Sequence, residues 1–159
     1  MKITLVTVGK IKEKFYRDAI DEYVKRLGKY CDLRIIEVAD EKTKEKASFA
    51  EDELVKTKEG ERILKSISDD CFVITLEIQG KKLSSEDFSK KINDITLGGK
   101  SHICFIIGGS LGLSKNVSLR ADFKLSFSDM TFPHQLMRVI FLEQLYRSFR
   151  INNNEPYHK

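Results

Sequence analysis

The chain has 159 residues, of which 41% are hydrophobic and 33% are charged, the balance of an ordinary globular protein. Its longest apolar run, residues 103–107, is far too short to cross a bilayer. The apolar start at residues 3–8 is too short for a signal peptide and lacks a cleavage pattern. We therefore expect a cytoplasmic protein that forms one domain over residues 1–159, with no membrane association.

The net charge of +4 is small, but the basic residues are unevenly distributed. Residues 113–159 contain seven Lys and Arg against four Asp and Glu, whereas residues 1–112 contain 21 against 20. An excess in this region is expected if an anionic partner binds there. The cysteines Cys31, Cys71 and Cys104 form no CxxC pair and lie in apolar stretches, so we interpret them as core residues and expect no metal site.

Apolar runs and helical periodicity predict strands and helices that alternate along the chain. The predicted strands are residues 2–8, 31–39, 71–77, 102–107 and 122–127. The predicted helices are residues 13–28, a solvated amphipathic helix whose apolar stripe runs from Phe49 to Ile67 and overlaps the Lys- and Glu-dense stretch 40–62, residues 85–96, and a last helix from Pro133 to about Ile151. We expect a turn at Gln79-Gly80 and a helix cap at Ser84 or Ser85. The alternation predicts an α/β fold with a parallel-rich sheet and helices on both faces.

The last predicted helix is apolar around most of its circumference. A helix of this kind is buried on several sides. We predict that a second copy of the chain covers one side in a homodimer, with complete burial inside one chain as the alternative. The apolar positions are Leu136, Met137, Val139, Ile140, Phe141, Leu142, Leu145, Tyr146 and Phe149.

The fourth predicted strand runs into a glycine-rich loop, Gly108-Gly109-Ser110-Leu111-Gly112. Loops at strand ends are where an α/β domain usually binds a small ligand, and glycines let backbone amides approach it. The loop is not GxGxxG and does not follow the first strand, where a dinucleotide motif belongs. By itself it fits a phosphate-binding loop and a plain turn equally well.

A second polar loop, residues 126–131, joins the fifth strand to the last helix. Its backbone donors and carbonyls could hold a nucleoside without a charged side chain. The alternative is a helix cap, in which Ser128, Asp129 or Thr131 accepts amide hydrogen bonds. This loop alone favours the cap.

Basic and proton-transferring side chains gather on the last helix and in the tail. Arg138, Arg147 and Arg150 suit phosphate or planar bases, although any one of them taken singly is typical of a solvated helix face. His134, in the first turn, is more often structural than catalytic. The tail Tyr157-His158-Lys159 carries three groups that bind charge or move protons, although chain ends are usually disordered.

Together these segments resemble one family over essentially the whole chain. The order IIGG-x-x-GLS, then LSFSDMTFPHQLMRVIFLEQLYR, then a Tyr-His-basic tail is similar to the RlmH family, as are KITLVTVGKIKEK and LEIQGKKLSSEDF. The resemblance implies a SPOUT-class methyltransferase of a pseudouridine in 23S ribosomal RNA. It also implies an obligate homodimer and a deep C-terminal trefoil knot, which is a rare exception among folds.

The family pattern implies a binding site for S-adenosylmethionine made by three strand ends. The positions that match are Leu76, Gly108, Phe127, Ser128, Asp129, Met130, Thr131 and Phe132. One departure concerns the glycine loop, which commonly reads GGPEG in the family and GGSLG here. Leu111 neither accepts a proton nor binds a cation, so an essential role for the family's glutamate is in doubt.

The implied reaction is methyl transfer to N3 of a pseudouridine, an imide nitrogen that carries a proton near neutral pH. Catalysis then requires in-line positioning and loss of that proton. We expect Tyr157, His158 and Lys159 to be catalytic, and Arg138, Arg147 and Arg150 to contact RNA phosphates. The resemblance specifies helix 69 in assembled ribosomes as the substrate.

Two other hypotheses come from different classes of protein. A non-enzymatic ribosome- or RNA-binding factor with the same fold would explain the GGSLG departure. A nucleotide-dependent oxidoreductase is disfavoured, because the first strand is not followed by the glycine motif and no acidic ribose-binding residue lies at the expected spacing.

Overall fold

Five strands and five helices alternate along the chain, and the computed structural model describes all residues from Met1 to Lys159. The elements are β1 (Lys2–Val8), α1 (Lys14–Leu27), β2 (Asp32–Val38), α2 (Phe49–Ser66), β3 (Phe72–Lys82), α3 (Ser85–Leu97), β4 (His102–Ile107), α4 (Lys115–Arg120), β5 (Phe123–Ser126) and α5 (His134–Asn152). None of the helices has the length and apolar character that a bilayer crossing requires.

The five strands form one sheet in the order β2-β1-β4-β3-β5, and every pair is parallel. The predicted α/β fold with a parallel sheet is confirmed. Since all strands point the same way, their carboxyl ends lie along one edge. The loops after β3, β4 and β5 are therefore neighbours in space, although they are far apart in sequence.

Apolar side chains cover both faces of the sheet because successive residues of a strand point to opposite sides. On β4, Ile103 and Phe105 pack against one core with residues of α1, α3 and α5. Cys104 and Ile106 pack against a second core with Ile63 of α2 and Val117 of α4. Helices thus flank both faces, as predicted, and Cys71 and Cys104 are buried core residues.

The helices α2 and α3 begin where the sequence provides a side-chain cap. Ser48 accepts a hydrogen bond from the backbone N–H of Glu51, whose carboxylate accepts one from the Ser48 N–H, a capping box. Ser84 caps α3 through the N–H of Asp87, as expected. The helix predicted from the apolar stripe between Phe49 and Ile67 is confirmed, because α2 spans Phe49–Ser66.

The expected turn at Gln79-Gly80 is wrong, because β3 continues through it to Lys82. The pairing of β3 with β5 shifts register between Leu76 and Lys81. A Cβ atom on Gly80 would lie 2.8 Å from backbone atoms of Lys124 and Leu125. Glycine is required because β5 passes against this point, a long-range contact that the local sequence does not indicate.

Helix α5 packs one face on the sheet and leaves the other only half-covered. Phe141, Leu142 and Leu145 are fully buried in the first core. Leu136 and Val139 are half-buried and belong to neither core. This apolar strip is available for contact with another molecule.

Candidate functional site

A cavity of about 690 Å³ lies at the carboxyl ends of β3, β4 and β5. Two loops form much of its wall: residues 108–113 after β4 and residues 127–133 between β5 and α5. Other lining residues are Leu76, Glu77 and Ile78 of β3, Ile107, Leu125, His134 and Met137. This volume is in the range of small-molecule sites, which lie at this edge of parallel sheets.

The glycine loop is folded so tightly that side chains could not replace its first glycine. A Cβ atom on Gly108 would lie 2.9 Å from the carbonyl carbon of Gly112. The N–H of Gly112 donates to the carbonyl oxygen of Gly109 at 3.1 Å, and Gly112 has a φ of +87°. The loop thus presents backbone to the cavity, which favours the ligand-binding interpretation of the motif.

The loop between β5 and α5 does not cap the helix. The N-cap of α5 is Pro133, and no side chain caps this end. Instead Ser126 Oγ donates to the carbonyl oxygen of Ser128, and Ser128 Oγ accepts from the N–H of Met130 at 3.0 Å. These bonds hold the loop as a wall of the cavity, so the capping alternative is wrong.

The structure brings together nearly all residues at which cofactor binding was predicted. Seven of them line the same cavity: Leu76, Gly108, Phe127, Ser128, Met130, Thr131 and Phe132. Asp129 does not line it, because its largely exposed carboxylate points to Lys82 Nζ, with which it forms an ion pair.

The cavity wall carries little charge. The carboxylate of Glu77 accepts hydrogen bonds from Thr75 Oγ1 at 2.7 Å and Ser118 Oγ at 3.1 Å. Burial lowers the pKa of His134, and the nearby Arg138 guanidinium lowers it further. A ligand with flat apolar parts, recognised by backbone groups, suits this wall. No group of three or more His, Cys, Asp and Glu side chains converges on a possible metal site.

A smaller pocket of about 300 Å³ adjoins the cavity and shares Gly109, Ser110 and His134 with it. It contains a buried carboxylate, Glu59, which the sequence analysis missed because it lies among many exposed acidic residues. Val8, Asp40, Glu41, Lys42 and Thr43 complete the lining.

The predicted RNA contact at Arg138 is wrong for this structure, because only 2% of its side chain is exposed. Nη1 donates to Glu37 Oε2 at 2.9 Å, and Nη2 donates to the carbonyl oxygens of Val8 and Gly9 at 2.7 and 2.9 Å. A buried guanidinium held by three acceptors serves the fold, and no phosphate can reach it.

Arg147 and Arg150 lie near the other end of α5 and already have acidic partners. Arg147 Nε donates to Glu143 Oε1 at 3.0 Å, and Arg150 Nη1 lies 2.5 Å from Glu155 Oε2. Both side chains keep about a fifth to a quarter of their surface exposed, 24% for Arg147 and 21% for Arg150. They are reachable from solvent, unlike Arg138.

The tail is ordered against α5 and α3 and does not line its own cavity. Tyr157 Oη donates to Glu143 Oε1 at 3.1 Å. His158 Nε2 lies 2.7 Å from Glu86 Oε1, and its Nδ1 lies 3.2 Å from Arg147 Nη1. Lys159 is exposed. The predicted catalytic groups and the predicted cofactor residues thus form two separate clusters within one chain.

The fold and the cavity define an α/β protein that binds a ligand at the carboxyl edge of a parallel sheet. Comparison with known protein families identifies the family to which this α/β protein belongs. The family model described as "Predicted SPOUT methyltransferase" matches residues 1–158, and the chain belongs to this family.

Close relatives agree with the resemblance that the motifs indicated. The chain is 65% identical to a Bifidobacterium adolescentis protein and 60% identical to a Clostridium acetobutylicum protein, each over 159 residues that span 100% of both chains. Both relatives are named "Ribosomal RNA large subunit methyltransferase H".

A solved structure supports the fold. The chain superimposes on a "probable methylase family protein from Haemophilus influenzae" with a TM-score of 0.54 and 15% identity, over 99% of this chain and 70% of that one.

Proposed function

We propose that this protein, as a single domain over residues 1–159, uses S-adenosylmethionine to methylate N3 of a pseudouridine in helix 69 of 23S ribosomal RNA, on assembled ribosomes. The main support is the full-length identity of 60% or more to relatives named for methylation of large-subunit RNA. The second support is the cavity, because a SPOUT methyltransferase needs one site for the methyl donor at the strand ends.

The cavity suits S-adenosylmethionine. Apolar side chains such as Leu76, Ile107 and Leu125 offer contact to an adenine ring, while the tight loop at Gly108 brings backbone amides to its edge. Residues 127–132 would enclose the remainder of the molecule. When bound, the cofactor supplies a methyl group on a sulfonium, which needs little activation, so the protein has to position the acceptor and manage its proton.

The groups proposed to manage that proton are those of the tail. His158 or Tyr157 would take the N3 proton of the pseudouridine, and Lys159 would stabilise the negative charge that develops on a ring oxygen. Arg147 and Arg150, next to the tail, would contact RNA phosphates. Because the tail does not line its own cavity, we propose that the tail of a second copy completes each site in a homodimer.

The half-covered strip of α5 is the proposed contact between the copies, since Leu136 and Val139 would otherwise leave apolar surface in water. A deep trefoil knot, formed by the loops around the cavity, belongs to the same proposal, as does a cytoplasmic location with the ribosomes. A crystal structure with the cofactor bound checks the path of the chain and the pairing of the copies.

The reaction is tested on ribosomes from cells that lack this protein. Mass spectrometry of their 23S RNA should show one missing methyl group on a pseudouridine, and the purified protein with S-adenosylmethionine should restore it. A truncated protein without residues 157–159 should bind the cofactor and form dimers but transfer no methyl group. Unchanged turnover would exclude the tail.

A non-enzymatic ribosome-binding factor gives a different result in the same experiments. Such a factor would show no saturable binding of S-adenosylmethionine in equilibrium dialysis. It would also leave the methylation pattern of the RNA unchanged when deleted.

A further inference from the structure

The pocket beside the cofactor cavity holds an acidic side chain whose surroundings are those of a binding group. Glu59, on α2, is only 5% exposed. Its Oε2 accepts a hydrogen bond from the backbone N–H of Glu41 at 3.1 Å. Its Oε1 accepts none from the protein and lies 3.1 Å from the position that a Cβ atom on Gly109 would occupy. One carboxylate oxygen therefore remains available at the boundary between the two cavities.

Burial and charge make this oxygen a strong acceptor. Burial raises the pKa of Glu59, whereas the hydrogen bond from Glu41 opposes the rise. The other charged residues around the pocket are Asp40, Glu41 and Lys42, and Glu41 forms an ion pair with Arg62. His134 lies on the side of the cofactor cavity. A neutral ligand with an N–H donor fits this acidic pocket, and a phosphate does not.

We infer that this pocket receives the pyrimidine ring of the target nucleotide and that Glu59 Oε1 accepts a hydrogen bond from its N1–H. The inference rests on the proposed function and extends it to recognition of the base. Pseudouridine is joined to its ribose through carbon, so its N1 carries a hydrogen. Uridine presents a C–H at the corresponding edge, which makes no comparable hydrogen bond. Glu59 is then the residue that selects pseudouridine.

The placement agrees with the chemistry of the transfer. N1 and N3 flank the same ring carbon, so a ring held by Glu59 through N1 can direct N3 toward Gly109 and Ser110, which the two cavities share. The volume of about 300 Å³ accommodates one base that has left its stack. The Watson–Crick edge would then face the methyl donor, while Glu59 contacts the N1–H edge, which Watson–Crick pairing does not use.

The first test varies the RNA and uses the unmodified protein. Ribosomes carry pseudouridine, uridine or 1-methylpseudouridine at the target position, and kcat/KM for methyl transfer is measured on each. Loss of a hydrogen bond to a buried carboxylate should lower kcat/KM about tenfold or more for uridine and 1-methylpseudouridine. Equal values on the three ribosomes would overturn the inference.

The second test is Glu59→Gln. In this variant the side-chain amide oxygen would still accept the hydrogen bond from the Glu41 N–H, and the side-chain NH2 would face the pocket. This NH2 is a donor, so it could not accept the N1–H of pseudouridine. The preference for pseudouridine over uridine should therefore be lost, with S-adenosylmethionine binding retained. Glu61→Gln is the matched control, because Glu61 is an exposed residue of the same helix, and it should keep the preference.

The outcomes separate this inference from the proposed function. If the unmodified protein transfers no methyl group to any ribosome, the proposed function fails. If it transfers methyl groups and Glu59→Gln keeps the preference of the unmodified protein, only the role of Glu59 fails. If Glu59→Gln does not fold, equal kcat/KM values on the three ribosomes still overturn the inference.

Discussion

Arg138 of α5 and Glu37 of β2 form an ion pair, 2.9 Å between Nη1 and Oε2, that fastens the last helix to the carboxyl edge of the sheet. The same carboxylate oxygen accepts the N–H of Ile11 at 3.2 Å, and Arg138 Nη2 reaches the carbonyl oxygens at the end of β1. A single guanidinium therefore joins β1, β2 and α5 beside the two cavities.

Replacing this guanidinium should destabilise the protein. Arg138→Ala leaves the Glu37 carboxylate and two carbonyl groups without their donor, and breaking a buried pair typically costs about 3 kcal/mol or more. Because Glu37 is 35% exposed, we expect a decrease of about 2 kcal/mol in the free energy of unfolding, measured by urea denaturation. Arg17→Ala, on the exposed face of α1, should change it by less than about 0.5 kcal/mol. Equal stability of the two variants would contradict the structural role of Arg138.

A methyl group on Gly108 should weaken cofactor binding. Its Cβ atom would lie within 3.0 Å of the Gly112 backbone and the Leu113 side chain, so the glycine loop would have to open. We expect Gly108→Ala to lower the affinity for S-adenosylmethionine about tenfold or more in calorimetry, since a displaced loop loses its backbone contacts. Gly28→Ala is the control, because Gly28 has a helical φ of −57° and lies outside the cavity. Equal affinities of the two variants for S-adenosylmethionine would mean that the cofactor binds away from the glycine loop.

The contacts of the tail should depend on pH at the alkaline end. Burial, together with the Glu143 carboxylate, raises the pKa of Tyr157 to about 12 from its ordinary 10.0. Since the folded pKa lies above the unfolded one, the stabilisation from Tyr157 is complete below pH 10 and is lost as the pH rises toward 12. Ultraviolet titration should show one late-ionising tyrosine that Tyr157→Phe removes. A Tyr157→Phe curve that still contains it would mean that the late group is another tyrosine.

The half-covered strip of α5 should control association. Val139→Arg puts a charge where Leu136 and Val139 offer apolar surface without packing on either core. We expect a folded monomer in sedimentation analysis, since burying an unpaired charge between two copies is costly. Lys25→Glu, on an exposed position of α1, should leave the dimer intact. If the Val139→Arg variant still forms a dimer, the interface lies elsewhere than this strip.

Local patterns were sufficient for most of the fold, because strand runs such as residues 102–107 and caps such as Ser84 act over a few residues. The extension of β3 past Gly80 was missed because it depends on β5, more than 40 residues later. The cofactor-binding residues around the cavity were predicted from family motifs rather than from hydrophobic periodicity. Arg138 was misassigned because its acceptors lie in β1 and β2, and Glu59 was missed because nothing nearby in sequence marks its burial.

The anchoring of the tail has a mechanical consequence. Glu143 and Arg147 of α5 hold Tyr157 and His158, while Arg150 Nη2 donates to the carbonyl oxygen of Pro156 at 3.0 Å. The final residues are therefore held against α5, and through His158 and Glu86 also against α3, instead of moving freely. A small displacement of α5 would therefore also displace the chain end. Substitutions along this helix can change turnover although the substituted residues do not contact the substrate.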